Sequence, residues 1–541
     1  MLPTSDLSPT HNPEDLCLLN VGDAQLESYY AARFAKRYGN LDPEGKVAIL
    51  VSTNREADDI GETMNGMGIS HFKISGTDLF SLPAMRLLMA HLSVLTDEMV
   101  FIAWARLLWG LHILPTYTAA RNLMRDLRRV ALLPTDFLRY PDSSYLQELV
   151  RAYDEEELVI FDTETTGLDV YYDDIIQIAA VKVRKGKVVG KAFNIILETD
   201  KELPETVGGH ENPMLEVYRN SKRYSRAEGL QKFMEYCKGK VLVGHNVEYD
   251  YQILRNNLIR ETGDTTNVLE EVCPRYFDTL KYIRLVRPRL RQYKLGHLLE
   301  VLHLEGQNSH QADDDIMATL SLLNFCHLNA VQMVAEQRLF VSDHRKQVDK
   351  FHERYAELYL HGFKETGGKE TGDKTNVQEG IVEELQFAYG RLLEAGLIEP
   401  IDKWRHLIHY LQQDLIRTDL YPTLRQQLER YITDLNTSKE ADLCGGSLEE
   451  RYIISTVHKA KGLEFDTVIV YRAIDGSYPG SRSWTEKQIQ EDARRLFVAL
   501  SRSKKRLCII YDEYYGRSMH ALSPFLEKVK EHFTVYRRST D

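Results

Sequence analysis

Apolar positions along the chain follow two spacings, and each spacing predicts a different element. Continuous apolar runs, beginning with residues 47–52, are typical of buried strands. Leu, Met and Trp at three- and four-residue intervals over 80–150 are typical of helices. Strand-like runs return from Leu158 and again after the Gly445-Gly446 pair. Strands that alternate with helices in this way predict an α/β fold.

The same pattern predicts individual elements. We expect helices over 54–67, over 331–362 (long and polar), within 378–436 and over 486–500. We expect strands over 158–161, 175–184, 188–197, 452–457, 467–471 and 506–511. The strand over 506–511 should be the last in the chain. A Lys-Gly turn should join the second and third of these strands.

The length of 541 residues exceeds what one hydrophobic core usually serves. Residues 363–376 repeat Lys-Glu-Thr-Gly and predict a flexible linker. The expected division is a tail (1–14), a first α/β part (15–150), a second α/β domain (155–330), a helical segment that contains the linker (331–446) and a last α/β part (447–541).

Composition excludes several classes of protein. The most apolar stretch, 99–114, is interrupted by Arg106 and His112 and is too short to cross a bilayer, and no signal peptide is visible. Six cysteines without Cys-x-x-Cys spacing argue against a zinc site and a disulfide framework, and indicate the cytoplasm. The net charge of −12 does not indicate a nucleic-acid binder, although local basic stretches can still hold phosphate.

Two carboxylates follow the strand predicted at 158–161. Residues two apart in a strand point to the same side, so Asp162 and Glu164 should project together. Like charges at that spacing repel each other unless a divalent cation neutralises them. Acidic residues also decorate the ends of strands in solvent, so this pair alone does not establish a site.

Two further acidic segments follow. Asp250 comes after an apolar run and a His-Asn turn, where a carboxylate could equally cap a helix. His310 and Asp315 stand five residues apart before an Ala- and Leu-rich helix. The three consecutive aspartates there also suit the positive end of a helix dipole.

Together these segments resemble the DEDDh exonuclease superfamily, which includes DNA polymerase proofreading subunits and oligoribonucleases and has a ribonuclease H-like fold. The superfamily pattern is Asp-x-Glu on the first strand, an Asp after a His-Asn turn, and a His followed five residues later by an Asp. That spacing selects Asp315 over Asp313 and Asp314. Further matches stand at 165–168, 278–280 and 293–296, and the resemblance covers about 170 residues.

The resemblance implies a two-metal phosphodiester hydrolase. Two divalent cations roughly 3.5–4 Å apart can activate the attacking oxygen and stabilise developing charge. Carboxylates suit Mg²⁺ or Mn²⁺. Asp162 would bridge both ions, Glu164 and Asp315 would complete the first site, and Asp250 would hold the second ion, partly through water. His310 would act as general base, because a histidine pKa lies near working pH.

A bound single strand needs positive charge and flat surfaces. The segment 281–294 carries six cations among aromatic residues, although an ordinary solvated basic helix and loop has the same pattern. The resemblance implies that the 3′-terminal nucleotide lies at the backbone of Thr163 and Thr165. The remaining residues that we expect to contact nucleic acid here are His245, Asn246, Arg291 and Lys294.

The flanking parts resemble superfamily 1 helicases related to UvrD. Residues 455–465 resemble their motif V, 491–503 their motif VI, and 47–69 the region of motif IV. The resemblance implies a split RecA-like second motor domain into which the exonuclease domain and a helical insert are placed. It also implies roles for four residues: Thr456 and His458 near single-stranded DNA, Glu464 at a nucleotide ribose and Arg502 at a γ-phosphate.

The chain departs from these helicases at the phosphate-binding loop. No Gly-x-x-x-x-Gly-Lys-Ser/Thr sequence is present, and although Lys46 follows Gly45, Val47 takes the hydroxyl position. We therefore do not expect this chain alone to use ATP. Three explanations stay open: a fragment of a longer helicase–nuclease, a retained scaffold, or a partner chain that supplies the first motor domain.

The leading hypothesis is a 3′→5′ exonuclease that acts on single-stranded or frayed DNA, with the helicase-like half guiding the strand. The alternatives are an exoribonuclease or oligoribonuclease with the same site, a non-catalytic DNA-binding module of a larger helicase–nuclease, and a working helicase. The five intact catalytic positions argue against the non-catalytic module. The missing phosphate loop argues against the working helicase.

Overall fold

The computed structural model describes residues 15–140, 142–203, 205–207, 210–212, 214–263, 268–306, 312–366, 380–445, 447–515 and 518–537. The predicted tail and most of the predicted linker lie outside these residues. The strands are β1 (Leu16–Asn20), β2 (Val47–Val51), β3 (Phe72–Ile74), β4 (Leu158–Thr165), β5 (Ile175–Arg184), β6 (Lys187–Leu197), β7 (Thr206–Val207), β8 (His210–Glu211), β9 (Arg223–Tyr224), β10 (Val241–Gly244), β11 (Tyr276–Asp278), β12 (Tyr452–Thr456), β13 (Phe465–Val470), β14 (Ser503–Tyr511), β15 (Tyr514–Tyr515), β16 (Ser518–Met519) and β17 (Thr534–Arg537).

The α-helices are α1 (Glu27–Leu41), α2 (Asn54–Gly66), α3 (Pro83–Thr96), α4 (Phe101–Gly110), α5 (Tyr117–Arg129), α6 (Asp136–Arg139), α7 (Tyr145–Glu155), α8 (Met214–Asn220), α9 (Arg226–Cys237), α10 (Val247–Thr262), α11 (Val268–Val272), α12 (Thr279–Val286), α13 (Leu295–Val301), α14 (Ala312–Asp343), α15 (Arg345–Thr366), α16 (Ile381–Glu394), α17 (Trp404–Tyr410), α18 (Leu424–Thr437), α19 (Glu486–Leu500) and α20 (Pro524–Glu527). A π-helical turn, Leu411–Leu415, follows α17.

The chain forms two compact units. Among the described residues, the first comprises 15–86, 399–417 and those from 433 onward, and the second comprises those between 87 and 398 and 418–432. These units divide the chain differently from the predicted domains, because residues 87–150 belong to the second unit. Side chains of α7 are buried in one cluster with the apolar start of β4, which accounts for this grouping.

A seven-stranded parallel sheet forms the centre of the first unit, in the order β17-β1-β14-β13-β2-β12-β3. β2 lies between β13 and β12, and all five of its residues are buried. A continuous apolar run is what a parallel strand covered on both faces requires. The helix α2 begins after β2 with a capping box in which Thr53 accepts from the backbone of Glu56 and Glu56 accepts in return.

A six-stranded mixed sheet forms the centre of the second unit, in the order β11-β10-β4-β5-β6-β9. β4 pairs in parallel with β10 and antiparallel with β5, so the strand that carries the candidate carboxylates is central. Lys185 and Gly186 join β5 to β6, and their positive φ angles of 50° and 73° are those of a two-residue hairpin turn. The predicted hairpin is confirmed.

Two predicted elements were wrong. The polar helix expected over 331–362 consists of α14 and α15, which are separated by His344. The ring of His344 bonds the Phe340 carbonyl at 2.9 Å and stacks on the Phe340 ring, so it caps the end of α14. The strand at 506–511 is not the last, because β17 follows it and pairs in parallel with β1.

Within the part of the chain that is described, no helix has both the length and the apolarity that a membrane span needs. The apolar stretch at 99–114 contains α4, a helix of ten residues.

Candidate functional site

The carboxyl end of β4 carries the first two candidate residues. Asp162 lies opposite Ala179 of β5, and Glu164 lies opposite Gln177. Because these two carboxylates are two residues apart in one strand, they project from the same side of the sheet. The predicted placement on a strand is therefore observed.

Asp250 lies in the first turn of α10. The residue before this helix, Asn246, has a left-handed backbone with φ of 62°, which turns the chain sharply from β10 into the helix. Asp250 is 6% exposed, and its Oδ1 accepts hydrogen bonds from the backbone N (3.0 Å) and the hydroxyl (2.6 Å) of Thr163. The side chain of Thr163 therefore fixes Asp250 against the end of β4.

The fourth carboxylate comes from a distant segment. Asp315 is half-buried in the first turn of α14, and this helix packs against β4. His310, the predicted general base, lies outside the described residues, and so does the side chain of Asp313.

The four carboxylates act on one another electrostatically. Burial, and then the charges of Asp250, Glu164 and Asp315, holds the pKa of Asp162 well above its usual range. Burial, and then the charges of Asp315 and Asp250, raises the pKa of Glu164 to about 7. Burial also raises the pKa of Asp250 to about 7, although the bonds from Thr163 act in the opposite direction. A positive charge placed among these groups would therefore be strongly favoured.

The donor set suits a hard divalent cation, because carboxylate oxygens are the preferred ligands of Mg²⁺ and Mn²⁺. As the side chains stand, the described residues contain no group of three or more His, Cys, Asp or Glu close enough to hold an ion. Mutual repulsion acts against any tighter arrangement of these carboxylates in the absence of a cation. The chemistry and the electrostatics of the four carboxylates therefore fit a divalent cation, whereas their present separations do not form a closed site.

The turn after β4 is held together by hydroxyl groups. The Thr165 and Tyr249 hydroxyls both donate to the Gly167 carbonyl, at 2.7 and 2.8 Å. The next side chain, Leu168, is 89% exposed. Sequence reasoning included Leu168 in a matching segment but gave it no role. The signal that sequence reasoning missed is the apolar side chain of Leu168, which is exposed to solvent in the turn after the strand that carries Asp162 and Glu164.

His245 was expected to contact nucleic acid, and its surroundings argue against that. Its Nε2 donates to the Tyr293 carbonyl and its Nδ1 bonds the Thr279 hydroxyl, both at 3.0 Å. Burial lowers the pKa of His245 to about 4, so the ring is neutral at neutral pH. Both ring nitrogens are used within the protein, where they connect the end of β10 to the Tyr293 segment.

The basic segment 281–294 is not a single positive surface. Arg291 and Lys294 are exposed, as a phosphate contact requires. Lys281 instead pairs with Glu98 and is largely buried. Only part of the segment is therefore placed to meet a strand.

Three predicted contact residues of the first unit differ in exposure: Thr456 and His458 were expected near single-stranded DNA, and Glu464 at a nucleotide ribose. Thr456, at the end of β12, is 8% exposed, whereas His458 is exposed. Glu464 is exposed and lies 3.9 Å from Lys504. His458 and Glu464 are therefore accessible, and Thr456 is largely enclosed.

Two cationic side chains of the first unit are occupied within the protein, and one of them, Arg502, was expected at a γ-phosphate. Arg502 donates to the backbone carbonyls of Val498 (3.1 Å) and Leu463 (3.0 Å), so its guanidinium connects the end of α19 to the loop before β13. Lys46 donates to the carbonyls of Leu448 and Glu450. In this arrangement neither side chain reaches toward a nucleotide.

Sequence reasoning missed a second buried acidic pair, in the first unit. Glu27, at the start of α1, is 1% exposed, and Asp512, after β14, is 0% exposed. Burial, and then the charge of Asp512, raises the pKa of Glu27 to about 9. Arg472 lies 3.9 Å from Glu27, and His520 bonds Asp512. Nothing in the sequence near Glu27 signals this pair.

Similar proteins cover part of this chain. DNA polymerase III PolC-type of Lacticaseibacillus paracasei is 31% identical over 177 residues, which are 33% of this chain and 12% of that protein. The protein of the same name from Latilactobacillus sakei is 33% identical over 167 residues, 31% of this chain and 11% of that protein. The chain therefore spans only about an eighth of the length of these relatives.

A solved structure of E. coli exonuclease I in complex with a 5cy-dT13 oligonucleotide is 17% identical to this chain. The similarity covers 33% of this chain and 42% of that chain, with a TM-score of 0.27, which is too low to support an argument.

The match to a domain family is far more extensive. Residues 6–514 match the UvrD-like helicase C-terminal domain, which agrees with the helicase-like segments on β12, β13 and α19. Because that match spans nearly the whole sequence, this chain belongs to the family of UvrD-like helicase C-terminal domains.

Proposed function

We propose that the chain is a metal-dependent 3′→5′ exonuclease of the DEDDh type that acts on single-stranded or frayed DNA. The second unit would be a ribonuclease H-like nuclease with an added helical segment, and the first unit a RecA-like motor half that guides the strand. The observation that supports this most is the mutual effect of four carboxylates from β4, α10 and α14 on their pKa values.

Each carboxylate would have its own role. Asp162 would bridge two ions, Glu164 and Asp315 would complete one site, and Asp250 would hold the other ion. When bound, the two Mg²⁺ or Mn²⁺ ions would stabilise the negative charge that develops at the reacting phosphate. Thr163 supports this assignment, because its two hydrogen bonds keep Asp250 directed at the end of β4.

The remaining steps would fall to neighbouring residues. His310 would take the proton of the attacking water. Leu168, exposed at the tip of the turn after β4, would pack against the terminal base. Arg291 and Lys294 are exposed and would contact phosphates of the bound strand.

Two observations favour DNA hydrolysis without ATP use. The relatives are named as DNA polymerases, and the resemblance identified from the motifs includes polymerase proofreading subunits.

In the first unit, Lys46 and Arg502 are both bonded to backbone carbonyls, which leaves neither ready for a nucleotide phosphate. The guiding role of this unit would therefore depend on binding alone, or on a motor domain supplied by another chain.

The direct test is degradation of oligonucleotides labelled at the 5′ end, as DNA and as RNA, with Mg²⁺, Mn²⁺ or EDTA. We expect stepwise shortening of DNA from its 3′ end, none in EDTA, and protection by a blocked 3′ end. Asp315→Asn should lose activity on the order of 100- to 1000-fold. Asp314→Asn, the exposed neighbour that the motif spacing passes over, is the matched control and should retain activity.

Three results would contradict the proposal. The first is an Asp162→Asn protein that degrades DNA as fast as wild type. The second is an equal loss in Asp314→Asn and Asp315→Asn. The third is RNA degraded much faster than DNA, which would favour the exoribonuclease. ATP turnover by the purified chain would refute the proposal that it does not use ATP by itself.

A further inference from the structure

A cavity of about 770 Å³ lies within the second unit beside β11, and none of the four candidate carboxylates lines it. Its wall includes residues 94–99, Arg139 at the end of α6, β11, Phe363 in the last turn of α15 and part of α18. This volume lies in the range of about 300–1,000 Å³ of pockets that enclose small molecules. We call it the β11 cavity.

Most acidic groups that line the β11 cavity already have positive partners or hydrogen-bond donors. Glu98 pairs with Lys281 and accepts from the Thr135 hydroxyl at 2.9 Å. Glu248 pairs with Arg425 at 2.5 Å, and Glu429 bonds the same arginine at 3.0 Å. These carboxylates are therefore neutralised, and a ligand would not meet them as a uniform negative surface.

Two lining cations, Arg139 and Arg284, are held by ring contacts, and Arg139 is the less exposed of the two. Arg139 is only partly exposed, and among the described residues its guanidinium makes no hydrogen bond and no ion pair. It is held instead by stacking, 4.2 Å above the ring of Phe363 and 5.4 Å from that of Tyr140. An arginine stays charged at any relevant pH, and the charge of Glu98 acts on Arg139 as well as on Lys281. What Arg139 lacks is an acceptor for its N–H donors. The cavity therefore provides a fixed position for an anion.

Part of the wall is aromatic. Tyr251 and Tyr276 stack on each other at 4.4 Å. Tyr276 is partly exposed, whereas Tyr251 and Tyr359 are 3% and 2% exposed. Flat aromatic faces stack on nucleobases with little preference among them, and a guanidinium matches phosphate with paired hydrogen bonds. A ligand that combines a flat ring with a phosphate would use both features.

The β11 cavity also reaches the edge of the candidate nuclease site. Asn246 and Asp278 line it, and the backbone N of Asn246 donates to Asp278 Oδ1 at 2.8 Å. Asn246 directly precedes α10, whose first turn carries Asp250. The first turn of α10 therefore connects the wall of the cavity to Asp250.

We propose that the β11 cavity binds a nucleoside monophosphate unit, with its phosphate on Arg139 and its base against the exposed part of Tyr276. The unit is either a free mononucleotide or one nucleotide of a bound strand. The source of this nucleotide rests on the proposed exonuclease function, whereas the binding of a nucleotide in the cavity does not.

The test measures binding by the full chain in EDTA, so that no cleavage occurs. The probes are dAMP, a single-stranded dT8 oligonucleotide and inorganic phosphate. Arg139→Gln should weaken nucleotide binding about tenfold, because a charge-assisted pair is lost. Arg129→Gln, in an exposed arginine of α5, is the matched control and should bind as wild type does. Thermal unfolding shows whether both variants remain folded.

The two probes separate the two origins. A free mononucleotide predicts Arg139-dependent binding of dAMP, with phosphate alone bound more weakly. A strand nucleotide predicts Arg139-dependent binding of dT8 and little binding of dAMP. The proposal is overturned if wild type binds neither probe, or if folded Arg139→Gln binds both as tightly as Arg129→Gln.

The same experiment distinguishes this proposal from the proposed function. Asp162→Asn should bind the probes as wild type does, because Asp162 does not line the cavity. Arg139-dependent binding in a protein that never cleaves DNA would leave the cavity assignment intact and remove the nuclease. Cleavage of DNA without Arg139-dependent binding would leave the nuclease assignment intact and remove the cavity assignment.

Discussion

Each unit of the chain holds a group of buried carboxylates, and the two groups differ in what neutralises them. In the first unit, burial raises the pKa of Glu27 to about 9, so this group keeps a proton at neutral pH, and Arg472 lies beside it. Its neighbour Asp512 bonds His520. In the second unit, burial and then the charges of other carboxylates raise the pKa of Asp162.

This difference indicates separate purposes. A buried carboxylate that is protonated, or paired with a positive side chain of the same protein, carries little net charge and can serve structure alone. Carboxylates that raise one another's pKa keep a mutual repulsion that a bound cation would relieve. The comparison therefore predicts metal-dependent properties for the second group and none for the first.

The largest expected effect is on catalysis. Asp250→Asn keeps an oxygen that can accept the Thr163 bonds but removes the charge, so we expect exonuclease activity to fall on the order of 100- to 1000-fold. Glu27→Gln should stay within about twofold of wild type, because Glu27 is already protonated at neutral pH. Rates on a labelled single strand measure both. Equal losses in the two variants would erase the distinction between the groups.

The second effect is stabilisation by Mg²⁺. At a Mg²⁺ concentration about 100 times the dissociation constant, binding should stabilise the wild-type fold by about 2.7 kcal/mol. Glu27→Gln should gain the same amount, and Asp250→Asn much less. Thermal unfolding in Mg²⁺ and in EDTA measures this gain. A full gain in Asp250→Asn would contradict a role for this carboxylate in holding the ion.

The third effect is on the pH dependence of stability. Between the pKa of about 4.5 that Glu27 has when unfolded and the value of about 9 in the fold, only the folded state keeps the proton. Stability therefore falls as pH rises through this window, by about 3 kcal/mol between about pH 6 and 8.5. Glu27→Gln cannot lose a proton and should show a flatter profile in urea unfolding. Identical slopes for wild type and variant would contradict the raised pKa.

The smallest effect concerns His245, a buried ring in the second unit that the protein satisfies by itself. His245→Ala removes bonds to Tyr293 and Thr279 and should cost about 1 kcal/mol of stability. Because the pKa of His245 is about 4, titration of this ring should not change the cleavage rate near neutral pH. His532→Ala, in an exposed histidine, is the control for unfolding. A shifted pH–rate profile in His245→Ala would show that the ring titrates in catalysis.

Local pattern predicted the elements that carry the candidate site. The strand over 175–184 and the helix over 486–500 are observed with the predicted bounds, because alternation and capping signals lie within the segments themselves. Motif spacing assigned Asp162 and Asp250 to the ends of a strand and the start of a helix, where they are found. The break at His344 was missed, since the capping bond from a histidine ring has no strong sequence signature.

The sequence by itself determined which residues could do chemistry: the carboxylates of β4, α10 and α14, and the helicase-like segments around β12 and α19. Only the tertiary structure decided which of these groups are free. Arg502 and His245 carry suitable side chains, but carbonyls from other segments occupy them. Glu27 and Asp512 come from opposite ends of the chain, and only pairing of β1 with β14 brings their segments together. Hydrogen bonds and burial between distant segments set the charge and availability of a side chain, and no local pattern contains them.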